Sequence, residues 1–226
     1  MSPEESLEQL VALLNDGVWS YLMITDVALR VSLEENGAIV GSVEAGRRTA
    51  RQVRQDYPTK KPMEILQALN VKVNLTQENP HWGSRMQCAE YQQRPPKVTI
   101  YEIAMVELAR IAEKTGTSEH ADPEIMRDIS LSHELYHHLE RTHFTRISRQ
   151  FRLVSSRIGP FTFYRQVHRL DEIAAHAFAQ ALLDLTFNPG ILELLHLHCK
   201  EQSRAALLKE ALAIRTRTAA IQGTNI

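Results

Sequence analysis

Leu7, Leu10, Val11 and Leu14 recur at helical spacing, and that stripe predicts a first helix from about Ser6 to Asn15. The same period marks a helix over Val43–Tyr57, and Pro62 opens a short one reaching Asn70, a position suited to proline. Apolar and polar residues then alternate with period two over Val71–Leu75 and, less cleanly, over Arg85–Tyr91. A third strand is expected at Lys97–Ala104, after Pro95-Pro96, where β-branched residues are frequent. Helical patterning returns over Ala104–Gly116, with the glycine as stop signal. It returns again in a helix with Asp122 as N-cap and Pro123 at its first position. The segment from Thr142 to Tyr164 reads as irregular. A strong helix over Arg165–Leu185 halts before Asn188-Pro189-Gly190, and a last one spans about Ile191 to Thr216. The simplest partition is one mainly helical α+β domain with a small three-stranded sheet. Residues 1–40 form an N-terminal helical extension, 41–190 the main domain, and 191–226 a C-terminal helix packed on it.

Composition narrows the class without deciding it. The chain has 226 residues, 43% apolar and 23% charged, as soluble globular proteins do, so it is long enough to bury a core. A formal net charge of −1 excludes a global field that would draw it to nucleic acid or a membrane. The two cysteines, Cys88 and Cys199, lie far apart without CxxC spacing, which argues against a disulfide framework and a cysteine-based zinc site. The N-terminus lacks the basic region and cleavage site of a signal peptide, and no apolar run has the length of a membrane span. A cytoplasmic protein is expected.

Four of the ten histidines fall between Ile129 and Phe144. Among them His133-Glu134-Leu135-Tyr136-His137 has the form H-E-x-x-H. On a helix both imidazoles share a face and reach one ion, while Glu134 stands at the edge of that face, able to hold the ion's water as general base. Leu131, Leu135 and Leu139 give the helix a separate stripe to bury. A catalytic zinc takes three protein ligands and keeps one open position. The segment "LDEIAAHAFAQALL" offers Glu172 as the third, with small alanines around it that let its helix come close. His176, one turn on, is expected to orient a ligand. His143, Glu140 and Asp171 are alternative third ligands. Tyr164, His168 and His138 are candidates for a further oxyanion donor. The strand beginning "KVTIYE" is the expected sheet edge for an extended peptide.

These residues carry a family resemblance. H-E-x-x-H followed by Glu172-Ile173-Ala174-Ala175-His176-Ala177-Phe178-Ala179 resembles the ImmA/IrrE-type metallopeptidases, whose second motif is E-x-x-A-(N/D)-x-F-A. The stretch "ARQVRQDYPTKKPMEILQALNVKV" is similar to the family's opening, so the resemblance spans roughly 50–189. Here His176 replaces the usual Asn or Asp. The resemblance implies a zincin-like domain with one Zn2+ and a regulatory endopeptidase acting on a helix-turn-helix repressor.

Arginines 141, 146, 149, 152, 157, 165 and 169 occur with no Asp or Glu among them. The segment is either a solvated loop or a docking surface for an acidic partner or DNA. Two rivals to a peptidase follow: a non-proteolytic, metal-stabilised interaction or toxin–antitoxin module, and a DNA-binding regulator. A structural metal site needs no general base, so Glu134 favours the enzyme.

Overall fold

The structure, a computed structural model, describes residues 3–58, 61–78, 81–82, 85–114, 121–197 and 201–223. It is mixed α+β, mainly helical, with one buried apolar cluster running from Leu10 to Ile214. Helix α1 (Pro3–Leu13) passes through a kink at Gly17, whose φ of 95° suits glycine, into α2 (Trp19–Leu22). Helix α3 (Val27–Glu35) is capped by the Asp26 carboxylate, which accepts from the Leu29 N–H at 3.0 Å. Leu10, Leu13, Leu14, Trp19 and Leu22 bury in the same core as the rest of the chain. Arg30 pairs with Glu210 at 2.6 Å and Arg217 with Glu34 at 2.8 Å, which ties α3 to the last helix.

Helices α4 (Ala38–Asp56) and α5 (Pro62–Ala68) lead into the sheet. Its order is β1 (Lys72–Thr76), β5 (Pro96–Tyr101), β4 (Ala89–Gln93), with β1 parallel and β4 antiparallel to β5. The three expected strands are present, with two corrections. The stretch Arg85–Tyr91 divides: β3 (Arg85–Met86) pairs instead with β2 (His81–Trp82). The strand expected at the edge, β5, is central and buries Val98 and Ile100, so β4 is an edge. A parallel partner on one side and an antiparallel one on the other fill both of its hydrogen-bonding rows.

After α6 (Glu102–Lys114) comes α7 (Pro123–Thr142), capped as expected: Asp122 accepts from the Glu124 N–H at 2.8 Å, with Pro123 in the first turn. The expected stop at Gly116 lies outside the described residues, as does Cys199. The segment read as irregular is not so. It contains α8 (Ile147–Gln150) and a hairpin of β6 (Arg152–Ile158) and β7 (Phe161–Gln166). Gly159-Pro160 makes its two-residue turn, with φ of 56° at Gly159 as such turns require. A register shift between Val154 and Ser156 breaks the alternation, which hid the strands from a period-two reading.

Helix α9 (Arg169–Leu183) starts later than expected, and α10 (Gly190–Leu197) and α11 (Glu201–Gly223) replace a single last helix. The alanine face of α9 meets α7 and also seats α4. A Cβ on Gly46 would stand 2.1 Å from the Ala174 carbonyl oxygen, so the two backbones touch there. Arg54 of α4 donates to the Leu182 carbonyl at 3.0 Å and pairs with Asp184, fixing the far end of the same contact. At the near end the Asp171 carboxylate accepts from the Ser148 N–H at 2.9 Å and its hydroxyl at 2.7 Å. Helix α9 is thereby held along its length by α4 and α8, and α7 packs against it as well.

Candidate metal centre

Helical spacing sets His133 and His137 on one face of α7, and the clamped α9 brings Glu172 to them. One ligand atom from each of the three residues lies within 4.8 Å of the others. The two imidazole Nε2 atoms are 3.0 Å apart, and Glu172 reaches them at 3.1 and 3.5 Å through its two oxygens. Donors held about 2.0–2.2 Å from a tetrahedral ion stand roughly 3.3–3.6 Å from one another, so the set fits one small cation. Two nitrogens and a carboxylate oxygen are also the donor types that zinc accepts.

The outer partners follow a second logic. Glu140, buried at 4% exposure, puts its Oε1 3.1 Å from His137 Nδ1. It therefore leaves Nε2 to the ion instead of ligating, contrary to its candidacy as third ligand. Asp171 is taken up by Ser148, and His143 by the Thr142 hydroxyl at 2.7 Å. His176 lies edge-on to His133, ring centroids 4.6 Å apart, and reaches Glu193 Oε2 of α10 at 3.4 Å. It meets His133 by ring contact, and no hydrogen bond from it to a ligand is made among the described residues. Glu193 escaped the sequence reading. Its signal was there: it is the lone carboxylate on the apolar helix "GILELLHL".

Charge follows from this packing. Burial pushes the Glu134 carboxyl up, and the nearby His133 and His137 pull it back only in part. Burial also works to raise Glu172, yet its hydrogen bonds to His133 and His137 win and hold it well below the usual carboxylate range. At His137 burial lowers and the bonds to Glu140 and Glu172 raise, with the net result a pKa of about 10. The metal-free site thus keeps a proton on His137 at neutral pH, and an incoming cation must displace it. Apparent zinc affinity is expected to rise about tenfold per pH unit below that value, with release of about one proton. Zinc titrations against a competing chelator at pH 6.5, 7.5 and 8.5 measure this, and a flat profile would contradict it.

A cleft of about 630 Å3 opens over the three ligands, lined also by Glu134, Tyr91 and His168. No described donor bonds to the Glu134 carboxylate, which is 8% exposed. Of the three expected oxyanion donors, His168 lines the cleft from an exposed position beside Asp171, at 3.7 Å. The other two are elsewhere. Tyr164 is 58% exposed on the hairpin, and His138 is buried with its Nδ1 2.9 Å from the Tyr91 hydroxyl. One position after His137, His138 points round the helix away from the ligands. Cys88 lines the cleft too, but burial, then Glu193 and Glu134, push its thiol up to about 12, so it stays protonated and a poor ligand.

Replacing Glu172 with alanine is expected to take the metal content of protein supplied with zinc from near one ion per chain to well below it. Elemental analysis reads this directly. Retention of the ion would remove Glu172 from the ligand set. Compared with known proteins, the chain matches no family model, no curated protein and no solved structure.

Proposed function

We propose that the chain is a zinc-dependent endopeptidase with a zincin-like catalytic domain. The observation that carries this reading is Glu134: a buried carboxylate without a described hydrogen-bond donor, next in sequence to His133 and in the wall of the cleft that holds all three ligands. A structural zinc site is closed by four protein ligands and has no use for such a group. His133, His137 and Glu172 would hold the ion, with Glu140 orienting His137 and His176 packed against His133.

Zinc bound there supplies Lewis acidity, which acidifies a water and polarises a peptide carbonyl. Glu134 takes the proton of the attacking water and hands it to the leaving amine. Its raised pKa, from burial, suits a group that must carry that proton between the two steps. His168, exposed at the cleft's edge, is the remaining candidate donor to the developing oxyanion. The substrate backbone pairs with β4, the sheet edge whose Ala89, Glu90 and Tyr91 line the cleft. The likeness to ImmA/IrrE-type enzymes supports a regulatory role with a helix-turn-helix repressor as substrate.

The test is hydrolysis itself. The zinc-loaded chain, incubated with a peptide library, is expected to create new N-termini that mass spectrometry counts. A chelator should stop the cuts and added zinc restore them. No zinc-dependent cut would leave the interaction-module reading. One observation favours that second reading: the hairpin exposes Ile158, Phe161, Phe163 and Tyr164 at 51–67%, more apolar surface than a solvated ribbon needs.

A further inference from the structure

Arg141 lies on α7 one turn beyond His137, so Glu134, His137 and Arg141 share a face by i, i+3, i+7 spacing. The side chain is exposed and lines the metal cleft. Its Cζ sits 5.3 Å from the centroid of the Tyr91 ring, a cation–π contact. That ring is itself fixed: the Tyr91 hydroxyl and His138 Nδ1 share a 2.9 Å hydrogen bond, and the two rings pack edge to face at 5.5 Å. His138 thus serves the cleft at one remove, by holding the platform under the guanidinium.

Arg146, the other arginine lining the cleft, is engaged at 3.9 Å from Glu140, and the neighbouring Arg169 is 3.6 Å from Glu193. Arg141 has no carboxylate within ion-pair distance among the described residues. A guanidinium in cation–π contact with a ring keeps its N–H donors available, and their fork matches a planar carboxylate at two points. A donor set of this kind, held over the Tyr91 ring and without a hydrogen-bond acceptor among the described residues, is a binding group for something that enters the cleft.

Building on the peptidase reading, we propose that Arg141 is a specificity-determining residue that binds a carboxylate of the peptide substrate. The carboxylate comes either from an Asp or Glu side chain or from the peptide's free C-terminus. The Tyr91–His138 pair positions Arg141 for either.

The experiment measures binding, so that it stands apart from turnover. Zinc-loaded Glu134→Gln protein is offered random heptapeptide mixtures in two matched arms, and bound peptide is quantified by mass spectrometry. In the first arm the peptides are C-terminally amidated and carry one Glu or one Gln. In the second they are neutral and differ only in a free or amidated C-terminus. One arm is expected to favour the carboxylate by about tenfold, and which arm does so identifies the source. Adding Arg141→Gln should erase the preference with zinc content and melting temperature unchanged. Arg141→Lys, which keeps the charge and loses the fork, should retain part of it and serves if the glutamine variant folds poorly. No carboxylate preference in either arm, or one that survives Arg141→Gln, overturns the proposal. Failure of the peptidase reading looks different: wild type that binds with the preference yet cuts nothing.

Discussion

Replacing Glu134 with glutamine is expected to slow peptide hydrolysis by roughly 10²–10⁴-fold, the range for loss of a general acid–base group. The substitution keeps size and shape in a site that is 8% exposed and leaves His133, His137 and Glu172 in place, so zinc content should stay as in wild type. The loss should fall on kcat, because the carboxylate acts on protons in the transition state and not on substrate affinity. Stability should move the other way or not at all. Burial disfavours the ionised carboxylate, and the neutral amide removes that strain from metal-free protein. Activity retained within a few-fold would show that Glu134 is not the base. Equal loss of zinc and activity would make it a structural group instead.

The second large effect is expected at the contact between α4 and α9. Gly46→Ala places a Cβ 2.1 Å from the Ala174 oxygen, 2.9 Å from the Phe178 nitrogen and 3.0 Å from the Ala174 carbonyl carbon. All three are backbone atoms, so no side chain can swing aside and α4 and α9 must separate. Overpacking of this kind costs about 1–3 kcal/mol, and a backbone clash belongs at the upper end. Alanine recovers at most about 1 kcal/mol of helix propensity over glycine. A net loss of about 2 kcal/mol should lower the melting temperature by roughly 4–8 °C in a chain of this size. Helix α9 also carries Glu172, so zinc affinity should fall in the same variant. Arg47→Ala, on the exposed side of α4, is the control and should shift stability by no more than about 0.5 kcal/mol. A Gly46→Ala protein that melts like wild type would mean that the helices are not in backbone contact.

The centre of the site was legible in the sequence because it is local. The 3.6-residue turn alone puts His133 and His137 on one face with Glu134 beside them, and the Asp122-Pro123 start fixes the phase of that helix. Glu172 was legible at one remove, since an acid in an alanine-rich stripe has few places to go except toward a close neighbour. Strand β1 announced itself by alternation and β5 by its β-branched residues. What the sequence could not decide is every relation that depends on how one element sits against another. Glu140 and Glu172 are both acids near a histidine, and only the tertiary arrangement makes one an outer partner on Nδ1 and the other a ligand at Nε2. Glu193 joins His176 because α10 returns to the cleft, and Arg141 becomes a cleft cation because β4 brings Tyr91 beneath it. Whether β4 or β5 is the edge rests on pairing order, a relation between strands and not a property of either one's own residues. Spacing along a helix is a property of the chain, whereas distance between helices is settled by contacts such as Gly46 on Ala174, where the absence of one methyl group lets α4 seat on the helix that carries the third ligand.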